Sequence, residues 1–186
     1  MKIVVIDNKA QHISIRPDNA ILRNNDDFYM PHFSQDIVCD CGYIVRITRL
    51  AKCVAQKFAS RCYDSITAGV TFTARDIMQQ ALESKLPTDE AYCFDHSTAI
   101  GTQWLTAEQI AEGGNLLLTT GDSVAGMIHS DLQDEIDRCV AQVSNKLTLK
   151  TGDLVFIAAG KALEAKVGNG VRVMFNDNIV LDFQIK

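Results

Sequence analysis

No run of lysine and arginine occurs in the 186 residues, and the 18 basic residues interleave with no aromatic cluster. The electrostatic footprint of a nucleic-acid binder is missing. Net charge is -5 at pH 7, with acidic and basic residues interspersed. No apolar stretch approaches the roughly 20 residues that cross a bilayer as a helix. The N-terminus, Met1-Lys2-Ile3-Val4-Val5-Ile6-Asp7, meets a charge too soon for a secretory signal and reads as a first strand. The expectation is a cytoplasmic protein with no nucleic-acid and no membrane partner.

Other absences remove further classes. Six cysteines occur, at 39, 41, 53, 62, 93 and 139, without an export signal, so reduced thiols are expected. Cys39-x-Cys41 has no second closely spaced pair to close a tetrahedral zinc site, and reads as buried thiols on a strand. Gly168-Asn169-Gly170 precedes a strand and is a turn, not a phosphate loop. Ser65, Ser84 and Ser97 lack the strand-turn-helix context of a hydrolase nucleophile. Cys93 and His96 would make a nucleophilic pair only by spacing, and read as a core thiol and a loop histidine. No repeat, linker or low-complexity segment is present.

What remains is a chain that is 47% hydrophobic, enough for one domain with a real core. Strands are expected over residues 1–7, 13–16, 21–22, 37–47, 66–72, 115–119, 154–159, 171–175 and 179–185. Asn176-Asp177-Asn178 between the last two is a hairpin signal. Over 37–47, period two places Val38, Asp40 and Gly42 on one face. Helices are expected over 50–62, from Leu50, Val54, Phe58 and Cys62 at spacing four, and over 74–85. Thr106-Ala107-Glu108-Gln109 is a capping box for a short helix. A further helix runs from the Ser130/Gln133 capping box to about residue 146, with Leu132, Ile136, Val140 and Val143 inward. Strands and helices do not alternate strictly, so the class is α+β, with one domain over 1–186.

The stretch that organises the rest is Gly69 to Asp76, a buried strand turning straight into a helix. Thr73 is the expected N-cap, with Asp76 three residues later. The run Thr73-Ala74-Arg75-Asp76, together with Met30-Pro31, Leu86-Pro87, Phe94-Asp95, Met127-Ile128 with Ser130, and Leu149-Lys150-Thr151-Gly152-Asp153, resembles the fumarylacetoacetate hydrolase family. The likeness is clearest over 30–186, with 1–29 read as N-terminal strands and a loop. It implies a β-rich roll of the family's C-terminal-domain type, often a homodimer. It also implies chemistry on small 2-oxo and 1,3-dioxo acids, in which Mg²⁺ or Mn²⁺ held by three carboxylates stabilises the enolate or oxyanion that forms.

Carried over position by position, the family's Glu-x-Glu ligands fall on Asp40 and Gly42, and its strand-end Asp falls on Thr71. Its lysine falls on Tyr92. Its substrate-cradling loop falls on Ile157-Ala158-Ala159-Gly160, and the Gln of its Ala-Arg-Asp-x-Gln on Met78. No counterpart is expected for its N-terminal His-Glu base. One carboxylate of three is left, and water then competes successfully for the dication. The resemblance thus leads to a short, degenerate member without the family's metal-dependent chemistry, with a binding or structural role. No cofactor is expected, or Mg²⁺ or Mn²⁺ if activity survives, and the ligand is a small carboxylate. The alternative is a hydrolase, hydratase or decarboxylase with a rebuilt site, using Asp40, Arg75, Asp76, Asp95 and Tyr92.

Overall fold

The computed structural model describes residues 1–7, 12–106, 108–110, 113–158 and 161–186. The expected residues Ala107, Ala159 and Gly160 lie outside this set. The strands are β1 (Lys2–Asp7), β2 (His12–Pro17), β3 (Ile21–Leu22), β4 (Ile37–Ile47), β5 (Tyr63–Ala74), β6 (Thr98–Ile100), β7 (Leu105–Thr106), β8 (Gly114–Thr120), β9 (Ser123–His129), β10 (Leu154–Ala158), β11 (Leu163–Glu164), β12 (Gly170–Phe175) and β13 (Asn178–Gln184). The α-helices are α1 (Arg75–Glu83) and α2 (Leu132–Lys146).

Two sheets hold these strands. The larger runs β2-β1-β10-β4-β5-β6-β3, with β11 beside β4 and β7 beside β5; the smaller runs β13-β12-β8-β9. Pairing is antiparallel except β1 with β10 and β3 with β6. The architecture is the expected α+β roll.

Alternation along the strands gives the large sheet two apolar faces. On β4 the odd residues Ile37, Cys39, Cys41, Tyr43, Val45 and Ile47 enter the main core, which the small sheet and α2 complete. Leu132, Ile136, Val140 and Val143 point into that core as their helical spacing requires. The even residue Ile44 faces the other way, into a small second core with Ile3, Ile21, Ile100, Leu154 and Phe156. The site described below lies on this inner face.

Four local expectations are corrected. Residues 50–62 are not one helix: Ala51 bridges Leu149, Cys53 has φ 51, and a 3₁₀ segment starts only at Gln56. Leu50 and Phe58 are 65% and 41% exposed, so the four-residue spacing marks no buried stripe. Thr73 does not cap α1; it is still in β5, and the cap position is Ala74, without a side-chain cap bond. The N-cap of α2 is Asp131, not Ser130. Residues 123–129 form a strand the sequence did not announce, because Val124 and Ile128 on it face outward.

The hairpin holds. Asn176 and Asp177 take φ 45 and 65, the two left-handed positions that close a two-residue turn between β12 and β13. All six cysteines are free. Cys39 and Cys41 are buried, and burial, with Asp40 adding to it, pushes both thiols up to about 12.

Candidate functional site

Register, more than sequence proximity, assembles the site. β4 pairs β5 with Asp40 opposite Thr71 and Val38 opposite Thr73. β10 pairs β4 with Ala158 opposite Gly42, and β1 brings Asp7 opposite Ala158. β2 then places His12 opposite Asp7 and Ser14 opposite Val5. Residues directly opposite in a ladder share a face, so these side chains all line the inside of the roll. Together they border a cavity of about 270 Å³, along with Arg16, Met78 and Tyr92.

The residues singled out from the sequence divide sharply. Asp40, Thr71, Tyr92 and Ala158 border the cavity. Ile157 is fully buried and faces the main core. Arg75, Asp76 and Asp95, members of the alternative catalytic set, do not border this cavity. Arg75 pairs with Asp36 through Nε–Oδ2 (2.7 Å) and Nη2–Oδ1 (2.9 Å) in an exposed fork. Asp76 accepts from Ser34 Oγ (2.6 Å), Gln35 N (2.9 Å) and Ile77 N (2.9 Å). Asp95 accepts from Asn19 Nδ2 on the surface.

Position 42 decides whether a metal centre fits. A Cβ on Gly42 would stand 2.3 Å from Ile157 O and 2.4 Å from Phe156 Cε1. The carbonyl belongs to the adjacent strand, and the ring is fixed in the small core. There is no space for even the first atom of a carboxylate side chain. Thr71, buried opposite Asp40, is neutral. A three-carboxylate centre for a hard dication therefore does not fit here. Among the described residues, no group of three or more His, Cys, Asp and Glu could hold a metal ion.

The N-terminal strands, from which no site residue was singled out, supply Asp7, His12, Ser14 and Arg16 to the cavity. Arg16 is 3% exposed. Its Nη1 donates to Phe72 O (2.9 Å) and Ser97 O (2.6 Å), and its Nη2 lies 3.5 Å from Thr73 Oγ1. Its guanidinium carbon lies 5.7 Å from the centre of the Tyr92 ring. Burial lowers it to about 10, which still leaves it charged at neutral pH. Tyr92 donates to Asp89 Oδ1 (3.0 Å). Burial first, then Asp89, raises the Tyr92 phenol above its usual value. The sequence carried no signal for Arg16, because alternation in His12-Ile13-Ser14-Ile15-Arg16 puts it on the polar face of the strand with His12 and Ser14.

Residues 5–182 match the family profile described as Fumarylacetoacetate (FAA) hydrolase C-terminal. No curated protein matches. Among solved structures, fumarylpyruvate hydrolase from Pseudomonas aeruginosa, in complex with Mn²⁺ and pyruvate, superposes with a TM-score of 0.82 at 15% identity, covering 99% of this chain and 88% of that one. The 5-carboxymethyl-2-hydroxymuconate delta-isomerase of Mycobacterium smegmatis gives 0.83 at 18%, covering 99% and 78%. A Yersinia pestis CO92 protein assigned to the fumarylacetoacetate hydrolase family gives 0.83 at 19%, covering 100% and 92%. At these identities the structural likeness speaks for the fold alone.

Proposed function

The chain belongs to the fumarylacetoacetate hydrolase family, and we propose that it keeps the family's pocket as a binding site for a small carboxylate without the metal-dependent chemistry. The observation that carries this reading is the closure of position 42 by Ile157 and Phe156. With Thr71 opposite Asp40, the pocket offers one ligand carboxylate at the three positions the resemblance assigns to the metal. On this reading neither Mg²⁺ nor Mn²⁺ is required. The pairing partner expected from the resemblance is a second copy, and sedimentation at twice the chain mass is the expected result.

Isothermal calorimetry tests the reading. Pyruvate, the compound held by the Pseudomonas aeruginosa neighbour, is expected to bind in the presence of EDTA. Stoichiometric Mg²⁺ or Mn²⁺ binding that disappears in Asp40→Ala would overturn the claim that the metal chemistry is lost.

A second reading is favoured by one observation: His12, Asp40 and Tyr92 border one cavity. A histidine and a carboxylate in one pocket could exchange a proton with a bound 2-oxo acid, as a hydratase or decarboxylase with a rebuilt site. A panel of acylpyruvates and oxaloacetate separates the two readings. Turnover that is lost in His12→Ala favours the enzyme.

A further inference from the structure

Among the described residues, Arg16 is a buried cation without a counter-ion. It takes part in none of the ion pairs among the described residues. The acidic groups that act on its charge are the Cys93 thiol and the Tyr92 phenol. Both are held protonated at neutral pH, chiefly by burial. Five N–H groups need acceptors. Nη1 uses its hydrogens on Phe72 O and Ser97 O, Nη2 has one long contact with Thr73 Oγ1, and Nε has no partner. An unpaired charge in such surroundings is costly unless something of opposite sign reaches it.

Arg16 borders the cavity together with the hydroxyl-bearing residues Ser14, Thr71 and Thr73, and its Nη2 lies 3.5 Å from Thr73 Oγ1. We propose that Arg16 is the anchor of the ligand site, receiving the carboxylate of a small organic acid through Nη2 with those hydroxyls as supporting donors. A single carboxylate suits the site better than a phosphate dianion. Arg16 brings one positive charge, which one carboxylate balances and a dianion exceeds. A cavity of about 270 Å³ also limits the ligand to a few carbons. The inference rests on the binding reading above and adds the residue that receives the carboxylate.

The test uses the full chain in EDTA, with pyruvate, acetate, acetamide and inorganic phosphate as probes. Pyruvate and acetate are expected to raise the melting temperature, and acetamide, isosteric but uncharged, is not. Arg16→Met should weaken pyruvate binding by about tenfold to hundredfold, the range for a hydrogen bond to a charged group. Arg16→Lys keeps the charge but not the fork, and should fall between wild type and Arg16→Met. Should Arg16→Met not fold, the acetate-acetamide contrast, with amide shifts at Ser14, Thr71 and Thr73 on pyruvate titration, decides the matter in the wild-type protein. Pyruvate bound equally well by wild type and Arg16→Met would overturn the role of Arg16 and leave the binding reading standing. A wild-type protein that binds none of the carboxylates would overturn both. Acetamide binding as tightly as acetate, or phosphate more tightly than either, would overturn the carboxylate assignment.

Discussion

Phe156 occupies the space in which a side chain on residue 42 would begin, its Cε1 2.4 Å from the ideal Cβ position, with the backbone oxygen of Ile157 as close on the other side. A flexible side chain would yield to a newcomer; a backbone oxygen inside a paired strand does not. Gly42→Ala should therefore cost about 1–3 kcal/mol through overpacking. In a domain of this size that is a melting temperature lower by about 2–12 °C. Differential scanning calorimetry on the two proteins measures it, and an unchanged melting temperature would show that the strands have room to part.

Asp76 accepts three hydrogen bonds, two that tie the start of α1 to residues 34 and 35 and one from Ile77 N within the helix. Asp76→Ala removes them, at about 0.5–1.5 kcal/mol each if independent, and should lower the melting temperature by several degrees. Asp76→Asn, which keeps an acceptor oxygen, should recover part of the loss. If thermal stability were unchanged in both, the corner would not depend on this carboxylate.

Asp153, 4% exposed, pairs with Lys2 and accepts from Lys2 N (3.1 Å) and Lys150 N (2.8 Å). Desolvation pushes its carboxyl up, but Lys2 and the two backbone donors together outweigh that and hold it below its usual value. Asp76 behaves alike: desolvation raises it, and the bonds from Ser34, Gln35 and Ile77 prevail. A carboxyl lowered in the folded state gives stability that is complete above its unfolded value of about 4 and is lost as pH falls through the folded one. Urea unfolding should thus show constant contributions from both at pH 6 and above and a decline below about pH 4. In Asp153→Asn the decline should be shallower; equal slopes in the two proteins would remove Asp153 from the explanation.

Tyr92 borders the cavity with its phenol raised by burial and by Asp89. It should stay protonated throughout the physiological range and act, if at all, as a hydrogen-bond donor. Ligand affinity should show no step assignable to Tyr92 below about pH 10. Tyr92→Phe should cost about 1 kcal/mol of stability from the lost bond to Asp89 Oδ1. Spectrophotometric titration of the phenol checks the first expectation, and a Tyr92 titration step near neutrality would refute it.

Much of the fold could be read from local pattern because local physics decides it. Alternation over 37–47 fixed both faces of β4, so Asp40 and Cys41 were separable from the sequence alone. The asparagine-rich turn closed the last hairpin, and the apolar stripe of α2 pointed where its period required. The 50–62 segment failed for the opposite reason. Its spacing was helical, but the partner that claimed Ala51 was Leu149, far along the chain. The order of motifs around Arg75-Asp76 was enough to place the chain in its family. It was not enough to place Arg75, Asp76 and Asp95 at the pocket, since each finds a nearer partner in Asp36, Ser34 or Asn19.

The sequence by itself determined the alternation along the strands, the turns and the family. Only the tertiary structure decided that position 42 is physically closed and that Arg16 is buried beside the cavity. Both follow from pairings between distant strands: β10 sets Phe156 against Gly42, and the curl of the large sheet carries β2 to Phe72 and Ser97, 56 and 81 residues away from Arg16. Local pattern says which face a side chain takes, but what stands opposite that face is settled by segments the local pattern does not contain.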